Sequence, residues 1–269
     1  MQKLEIDGIA FDVVGARRVP STSRSFGVRK TPWMIDRYKE LAGEFSEANV
    51  IELGIDQGAS TAMFAMLLRP RRMAAFDIAP GPIDALQALL EERELAERIT
   101  VHWGVDQSDT AVLSALIDKD FGDSPLDLIV DDASHALAPT QASFELLFPR
   151  LRPGGLFVIE DWSHDHEKER GIEELLKEEG ERSRQLKDRI AERLALPPDE
   201  PSPTLSRLVL QLVIAAAHSP EIVADVRVRA AWCEVRRGPG TLAASFRVAD
   251  CLGRVGRSLT ASPKTSSAG

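Results

Sequence analysis

LDLIVDDASH at residues 126–135 and LFVIED at residues 156–161 decide how this chain folds. Each begins with a short apolar run, Leu126–Val130 and Leu156–Ile159, and closes on acidic residues: Asp131 and Asp132 in the first, Glu160 and Asp161 in the second. Short apolar runs bounded by turn residues predict strands buried on both faces of a parallel sheet. Between them, Pro139–Leu151 is rich in helix formers and is ended by Pro153-Gly154-Gly155. A strand, a crossover helix and a strand of this size lie parallel and close together in one sheet. Their carboxyl ends then share one edge, roughly 5 Å apart if the strands are neighbours. Asp132, Glu160 and Asp161 therefore converge where open α/β sheets bind ligands. Three carboxylates crowded together repel one another, and a hard divalent cation is the natural relief.

Outward from this core the same alternation recurs. Thr31 is placed to cap a helix over Pro32–Leu41, with proline at its first position. Asn49–Leu53, Met73–Phe76 and Ile99–Trp103 read as three further strands. Helices follow them at Ser60–Arg69, at Pro82–Glu97, and from a Ser108 or Asp109 cap through Ile117. Such alternation predicts a Rossmann-like, doubly wound and mostly parallel sheet. Met1–Val28 reads as a mixed arm with a short strand at Gly8–Val14. Beyond Trp162, Asp165–Leu194 is a highly charged helical stretch with apolar residues at Ile172, Leu175, Leu176, Leu186, Ile190 and Leu194. Prolines at 197, 198, 201 and 203 break the chain, and Leu205–Ala217 is an apolar helix fit to pack on the sheet. Ile222–Arg229 and Ala231–Arg237 predict a terminal antiparallel strand pair, and the Ser/Thr/Ala-rich end from Ser258 predicts disorder.

Composition bounds the function. The 269 residues suffice for one large α/β core. No run approaches the ~20 apolar residues of a membrane span. The start MQKLEIDGIAFDV lacks the pattern of a secretory signal, and Cys233 and Cys251 are too few and too scattered for a zinc site or disulfide framework; a cytoplasmic protein is expected. A net charge of −9 argues against nucleic acid as a partner.

The first strand carries the cofactor signal. Glu52-Leu53-Gly54-Ile55-Asp56-Gln57-Gly58 places an acid and two glycines before a helix that opens at Ser60. Glycines there permit a tight turn and close approach of backbone to a ligand. The motif lacks the three-glycine dinucleotide fingerprint, and Glu52 and Asp56 would repel a diphosphate. They suit a cationic sulfonium amino acid. Asp77, ending the second strand, is placed to hold ribose hydroxyls, and Asp106-Gln107 follows the third strand where an adenine edge would lie. Together these point to S-adenosylmethionine, with Asp131 assigned to the cofactor side or to a structural hydrogen bond.

VIELGIDQGAST (50–61), AAFDIAP (74–80), GVDQSD (104–109), LDLIVDDASH (126–135) and SFELLFPRLRPGGLFVIEDW (143–162) together resemble class I methyltransferases. Within that group the chain is similar to the metal-dependent sugar O-methyltransferases typified by the macrocin and mycinamicin O-methyltransferases, and to actinobacterial methyltransferases of methylmannose polysaccharides. The resemblance covers residues 49–162. It implies Mg2+ held by Asp132, Glu160 and Asp161, and His135 as general base. Two positions depart from the family pattern: Ala133 stands where glycine is usual, and Ser163-His164-Asp165-His166 replaces an aromatic continuation. The expected division is an N-terminal arm and helix (1–48), a methyltransferase domain (49–240, with a helical insertion at about 165–195) and a C-terminal segment (241–269). The expected activity is transfer of a methyl group to a sugar hydroxyl of a small molecule or oligosaccharide. A catechol or other non-sugar acceptor, or a non-catalytic cofactor-binding subunit, are the alternatives. The charged 165–194 stretch reads as a solvated amphipathic helix, with a lid or a homo-oligomer contact as the alternatives.

Overall fold

The computed structural model describes residues 3–15, 19–177 and 204–260. Its centre is a seven-stranded sheet formed by β4 (Asn49–Leu53), β5 (Arg72–Asp77), β6 (Ile99–Trp103), β7 (Leu126–Asp131), β8 (Leu151–Glu160), β9 (Val223–Arg229) and β10 (Trp232–Arg237). The strand order is β6-β5-β4-β7-β8-β10-β9. The first five are parallel, and β10 runs antiparallel to both β8 and β9. β4 and β7 are thus neighbours although a long stretch of chain separates them. This crossover brings the ends of β4, β7 and β8 side by side, the switch point at which doubly wound sheets bind ligands.

The helices cover both faces. α1 (Pro32–Glu44), α2 (Ala59–Leu67) and α3 (Asp84–Glu92) carry most of one apolar layer; α4 (Thr110–Phe121), α5 (Leu137–Leu147) and α7 (Ser206–His218) build the other. Strand side chains alternate between the layers, Val50 in the first and Ile51 and Leu53 in the second. Thr31 caps α1 by accepting a hydrogen bond from the Met34 amide (3.3 Å), and Asp109 caps α4 through the Val112 amide (3.1 Å). α6 (His164–Lys177) and α8 (Gly253–Thr260) complete the α-helices among the described residues. The expected continuation of the charged helix, with Leu186, Ile190 and Leu194, lies outside the described residues, as do the prolines at 197–203 and the tail beyond Thr260.

Several boundaries move from expectation. The arm holds three strands rather than one: β1 (Lys3–Ile6), β2 (Ile9–Val13) and β3 (Ser25–Val28) form a separate sheet that buries Phe11 and Phe26 against the first layer. The polar residues before Ser25 concealed β3. α3 ends at Glu92 rather than Glu97, because Glu94 turns into the left-handed region (φ 55°) and the Leu95 amide folds back to the Leu90 carbonyl. β8 starts at Leu151, not Leu156. Pro153-Gly154-Gly155 forms an irregularity inside it, across which pairing shifts from Leu126–Leu151 to Leu128–Leu156. α8 runs through Ser258, where disorder was expected.

Candidate active site

The turn after β4 is built around Gly54. Its φ of +88° is one that side-chain-bearing residues avoid, and a Cβ placed there would lie 2.3 Å from the Asp132 carbonyl oxygen. Only hydrogen lets the β4 turn and the end of β7 approach this closely. The Asp132 amide donates to the Leu53 carbonyl (2.9 Å) and the Gly54 amide to the Phe76 carbonyl (2.8 Å), so three strand ends are fastened together. Asp77 locks the same turn: one carboxylate oxygen accepts from the Ile55 and Asp56 amides (2.7 and 3.0 Å), the other from Ala79 (2.7 Å).

The acidic edge divides into an open and an enclosed part. Asp132, His135 and Asp161 each offer one ligand atom, and these atoms lie within 4.8 Å of one another. His135 Nε2 is 3.1 Å from Asp132 Oδ1. His135 (φ 54°), Asp161 (φ 50°) and Asp56 (φ 46°) all hold left-handed backbone and all line one cleft. Strained backbone of this kind gathers at sites of function. Glu160 stands apart from the expected set of carboxylates. Strand alternation sends it into the first layer, 2% exposed, where the Lys30 ammonium (2.8 Å) and the Tyr38 hydroxyl donate to it. Lys30 reaches Asp132 Oδ2 as well (2.9 Å).

These contacts set the charges. Burial alone would raise Asp132, but the Lys30 charge and the His135 hydrogen bond outweigh it and hold the carboxyl below its usual range. Burial raises Glu160, with Lys30 only partly offsetting it. For His135, burial works to lower the pKa, and the hydrogen bond and charge of Asp132 overcome it, so the imidazole sits above its ordinary value.

Two clefts sharing Gly54, Asp56, Asp132 and Ala133 run along this edge, about 240 and 380 Å³ in volume. The first is walled by Gly27–Lys30 of the arm, and Arg29 spans it to Asp56 (2.9 Å). Gln57, Ser60, His135 and Asp161 also face it. The second takes in Asp77, Asp106, Gln107 and Ser134. Gly58 instead caps α2 behind the cleft and packs on Leu86.

Two residues expected to meet a cofactor are buried beneath the clefts. Asp131 follows Ile129 onto the second face, where Gln107 Nε2 (3.0 Å) and Ser143 Oγ (2.9 Å) donate to it. Burial pushes it up to about 6, with the Ser143 and Ala133 hydrogen bonds opposing. Gln107 also accepts from the Ser134 amide (2.9 Å), so this buried group braces the loop that carries His135. Glu52 shares the face of Val50 under α2, is 1% exposed, and accepts from Thr61 Oγ (2.6 Å). Burial pushes its pKa from 4.5 up to about 7. A carboxyl raised in the folded state stabilises most below the unfolded value and loses that contribution as pH rises. Glu52→Gln, which keeps an acceptor for Thr61, is therefore expected to leave thermal stability near pH 4.5 unchanged and to gain an advantage that opens up to about pH 7. Above that pH the gain amounts to about 3 kcal/mol. Melting curves across this range check it, and a loss of stability at high pH would show that the ionised form is the one the fold holds.

Lys30, Arg29 and Tyr38 were not legible as site residues. The signal, in retrospect, is a pair of adjacent cations placed between a short apolar run and a helix cap. His164, one of the residues that depart from the family pattern, has its ring 5.3 Å from that of His135. Trp162 donates its indole N–H to the Arg229 carbonyl (2.7 Å), and the guanidinium of Arg229 covers the Trp33 ring (4.2 Å).

Residues 51–162 match a protein family described as a methyltransferase domain, a segment running from β4 to the residue after Asp161. That segment holds the glycine turn after β4 and the strand ends that carry Asp132 and Asp161, within a Rossmann-like fold. Demethylmacrocin O-methyltransferase of Streptomyces fradiae is 34% identical over 140 residues, 49% of this chain and 31% of that protein. An 8-demethyl-8-alpha-L-rhamnosyl tetracenomycin-C 2'-O-methyltransferase of Streptomyces olivaceus is 50% identical over 56 residues, 21% of this chain and 14% of that protein. Among solved structures, MycE methyltransferase from the mycinamycin biosynthetic pathway, in complex with Mg, SAH and mycinamycin VI, superposes with a TM-score of 0.52 at 23% identity, over 78% of this chain and 50% of that one. The chain spans less than a third of the length of the curated relatives named here. No helix among the described residues is long and apolar enough to cross a membrane.

Proposed function

We propose that this chain is an S-adenosylmethionine- and Mg2+-dependent O-methyltransferase acting on a sugar hydroxyl. The observation that carries the reading is the meeting, in joined clefts, of the Gly54 turn with Asp132, His135 and Asp161. The Gly54 cradle, which a Cβ would fill, fits close approach of a cofactor, and two carboxylates with an open side fit a hard divalent cation. The relative named as a 2'-O-methyltransferase of a rhamnosyl tetracenomycin favours a sugar acceptor.

When bound, S-adenosylmethionine would supply a methyl group already activated by positive sulfur, and Mg2+ would supply a Lewis acid that lowers the acceptor hydroxyl's pKa. Asp56, Gln57 and Ser60 are placed for the amino-acid end of the cofactor; Asp77 and Asp106 lie by the second cleft, suited to the nucleoside end. Asp132 and Asp161 would hold the metal ion. His135 Nε2 donates to Asp132 Oδ1, which orients the ring and leaves Nδ1 as the nitrogen that takes the hydroxyl proton as the base. The arm, through Val28 and Arg29, narrows the cleft and limits water there.

Calorimetry with S-adenosylmethionine, then methyl transfer to a panel of mono- and oligosaccharides and catechols with Mg2+ or a chelator, tests this. Transfer to a sugar that stops with chelator is expected. Transfer to catechols alone would move the acceptor class, and metal-indifferent transfer would remove the metal. Absence of cofactor binding would end the methyltransferase reading.

A further inference from the structure

The acidic edge already contains a cation. The Lys30 ammonium lies 2.9 Å from Asp132 Oδ2 and 2.8 Å from Glu160, and its side chain is 3% exposed. Tyr38, fully buried against the Phe64 and Trp232 rings, donates its hydroxyl to Glu160 from another side. Glu160 thus has its oxygens taken by two enclosed donors. Turning it toward the open cleft means breaking both contacts and leaving a buried ammonium with one partner fewer, a costly change in a dry setting. Asp132 differs: Oδ2 serves Lys30 while Oδ1 faces His135, and about a quarter of the side chain (26%) is exposed. Asp161, the next residue after Glu160, leaves the strand with φ 50° and lines the cleft.

We propose that Lys30 is a positioning residue that withholds Glu160 from the divalent ion. The cation site of this chain is then Asp132 with Asp161, completed by oxygens of water or acceptor, rather than a three-carboxylate set. The charges agree. Asp132, Glu160 and Asp161 with Lys30 leave a balance of two negative charges, matched to one divalent ion; without Lys30 the same edge is a three-carboxylate cage. A site of two carboxylates keeps more exchangeable positions on the ion, which a chelating pair of acceptor hydroxyls would need. The inference rests on the divalent-dependent reading above.

Mn2+ binding to the full chain without cofactor, followed by the electron paramagnetic resonance of the free ion, tests it independently of turnover. Glu160→Gln is expected to leave the Mn2+ affinity within about threefold, while Asp161→Asn lowers it about tenfold or more. Lys30→Met frees Glu160 and is expected to tighten Mn2+ about tenfold, a gain that disappears in the Lys30→Met/Glu160→Gln double variant. The proposal is overturned if Glu160→Gln is as damaging as Asp161→Asn, or if a folded Lys30→Met binds Mn2+ no better. Should Lys30→Met fail to fold, the comparison of Glu160→Gln with Asp161→Asn decides alone. If no variant binds Mn2+ the proposal falls, and calorimetry of S-adenosylmethionine on the same samples shows whether the methyltransferase reading falls with it.

Discussion

His135→Ala is expected to lower methyl transfer by about 10²–10⁴, the range that a positioned base contributes, while changing S-adenosylmethionine affinity little. The imidazole borders the first cleft beside Asp132 and Asp161, and its hydrogen bond goes to the Asp132 side chain rather than to the backbone of the glycine turn. Under the proposed base role, its loss is expected to act on proton removal rather than on the cofactor's seat. A parallel titration separates this role from a merely structural one. In the metal-free chain His135 is expected to titrate above 6.5, and Asp132→Asn to bring it down, because burial unopposed by the Asp132 charge favours the neutral ring. A histidine raised in the folded state contributes stability that is complete below its unfolded value and is lost as pH rises through the folded one. Protection by His135 should therefore fade on the alkaline side of 6.5. Nuclear magnetic resonance of the histidine ring protons reads the midpoint directly. A His135→Ala enzyme with unaltered turnover would remove the base, and a midpoint below 6.5 would remove the Asp132 contact as its cause.

What could be read from the chain, and what could not, follows the range of the interactions. Strands β4 and β6 fall at the residues their apolar runs mark, and the convergence of Asp132, Asp161 and His135 follows from two strand ends joined by one crossover. These depend on local pattern and on one topological rule. The places of Glu52, Asp131 and Glu160 do not. Each is acidic and near a strand end, so each reads as a site residue; which face it takes is settled by register and by partners elsewhere, Thr61 for Glu52, Gln107 and Ser143 for Asp131, Lys30 and Tyr38 for Glu160. Lys30 lies 130 positions before Glu160, in an arm whose strand β3 borrows its order from β2 and from the core beneath. A crowd of carboxylates calls for a counter-charge, and sequence alone supplied a metal ion where the fold also supplies an ammonium.

Gly54→Ala is expected to be the most damaging single methyl group that can be added to this chain's acidic edge. Left-handed backbone costs an L-residue roughly 1–2 kcal/mol, and the added Cβ would sit 2.3 Å from the Asp132 carbonyl oxygen and 2.8 Å from Ala133 Cα. Neither neighbour is the end of a flexible side chain, so the backbone of the Asp132 loop has to move. That motion strains the Asp132–Leu53 hydrogen bond (2.9 Å) and shifts Asp132 relative to His135 and Lys30. Together the strain and the displacement put the loss of stability at about 3 kcal/mol, a fall in melting temperature of roughly 6–12 °C for a chain of this size. Cofactor binding and Mn2+ binding should fail together, since Gly54 borders both clefts and touches the loop that carries Asp132. Gly81→Ala is the control: a Cβ there meets nothing within 4 Å, and neither stability nor binding should change. If Gly54→Ala kept both ligands while Gly81→Ala behaved the same, the close approach of the β4 turn to the Asp132 loop would not be what holds the two halves of the site together.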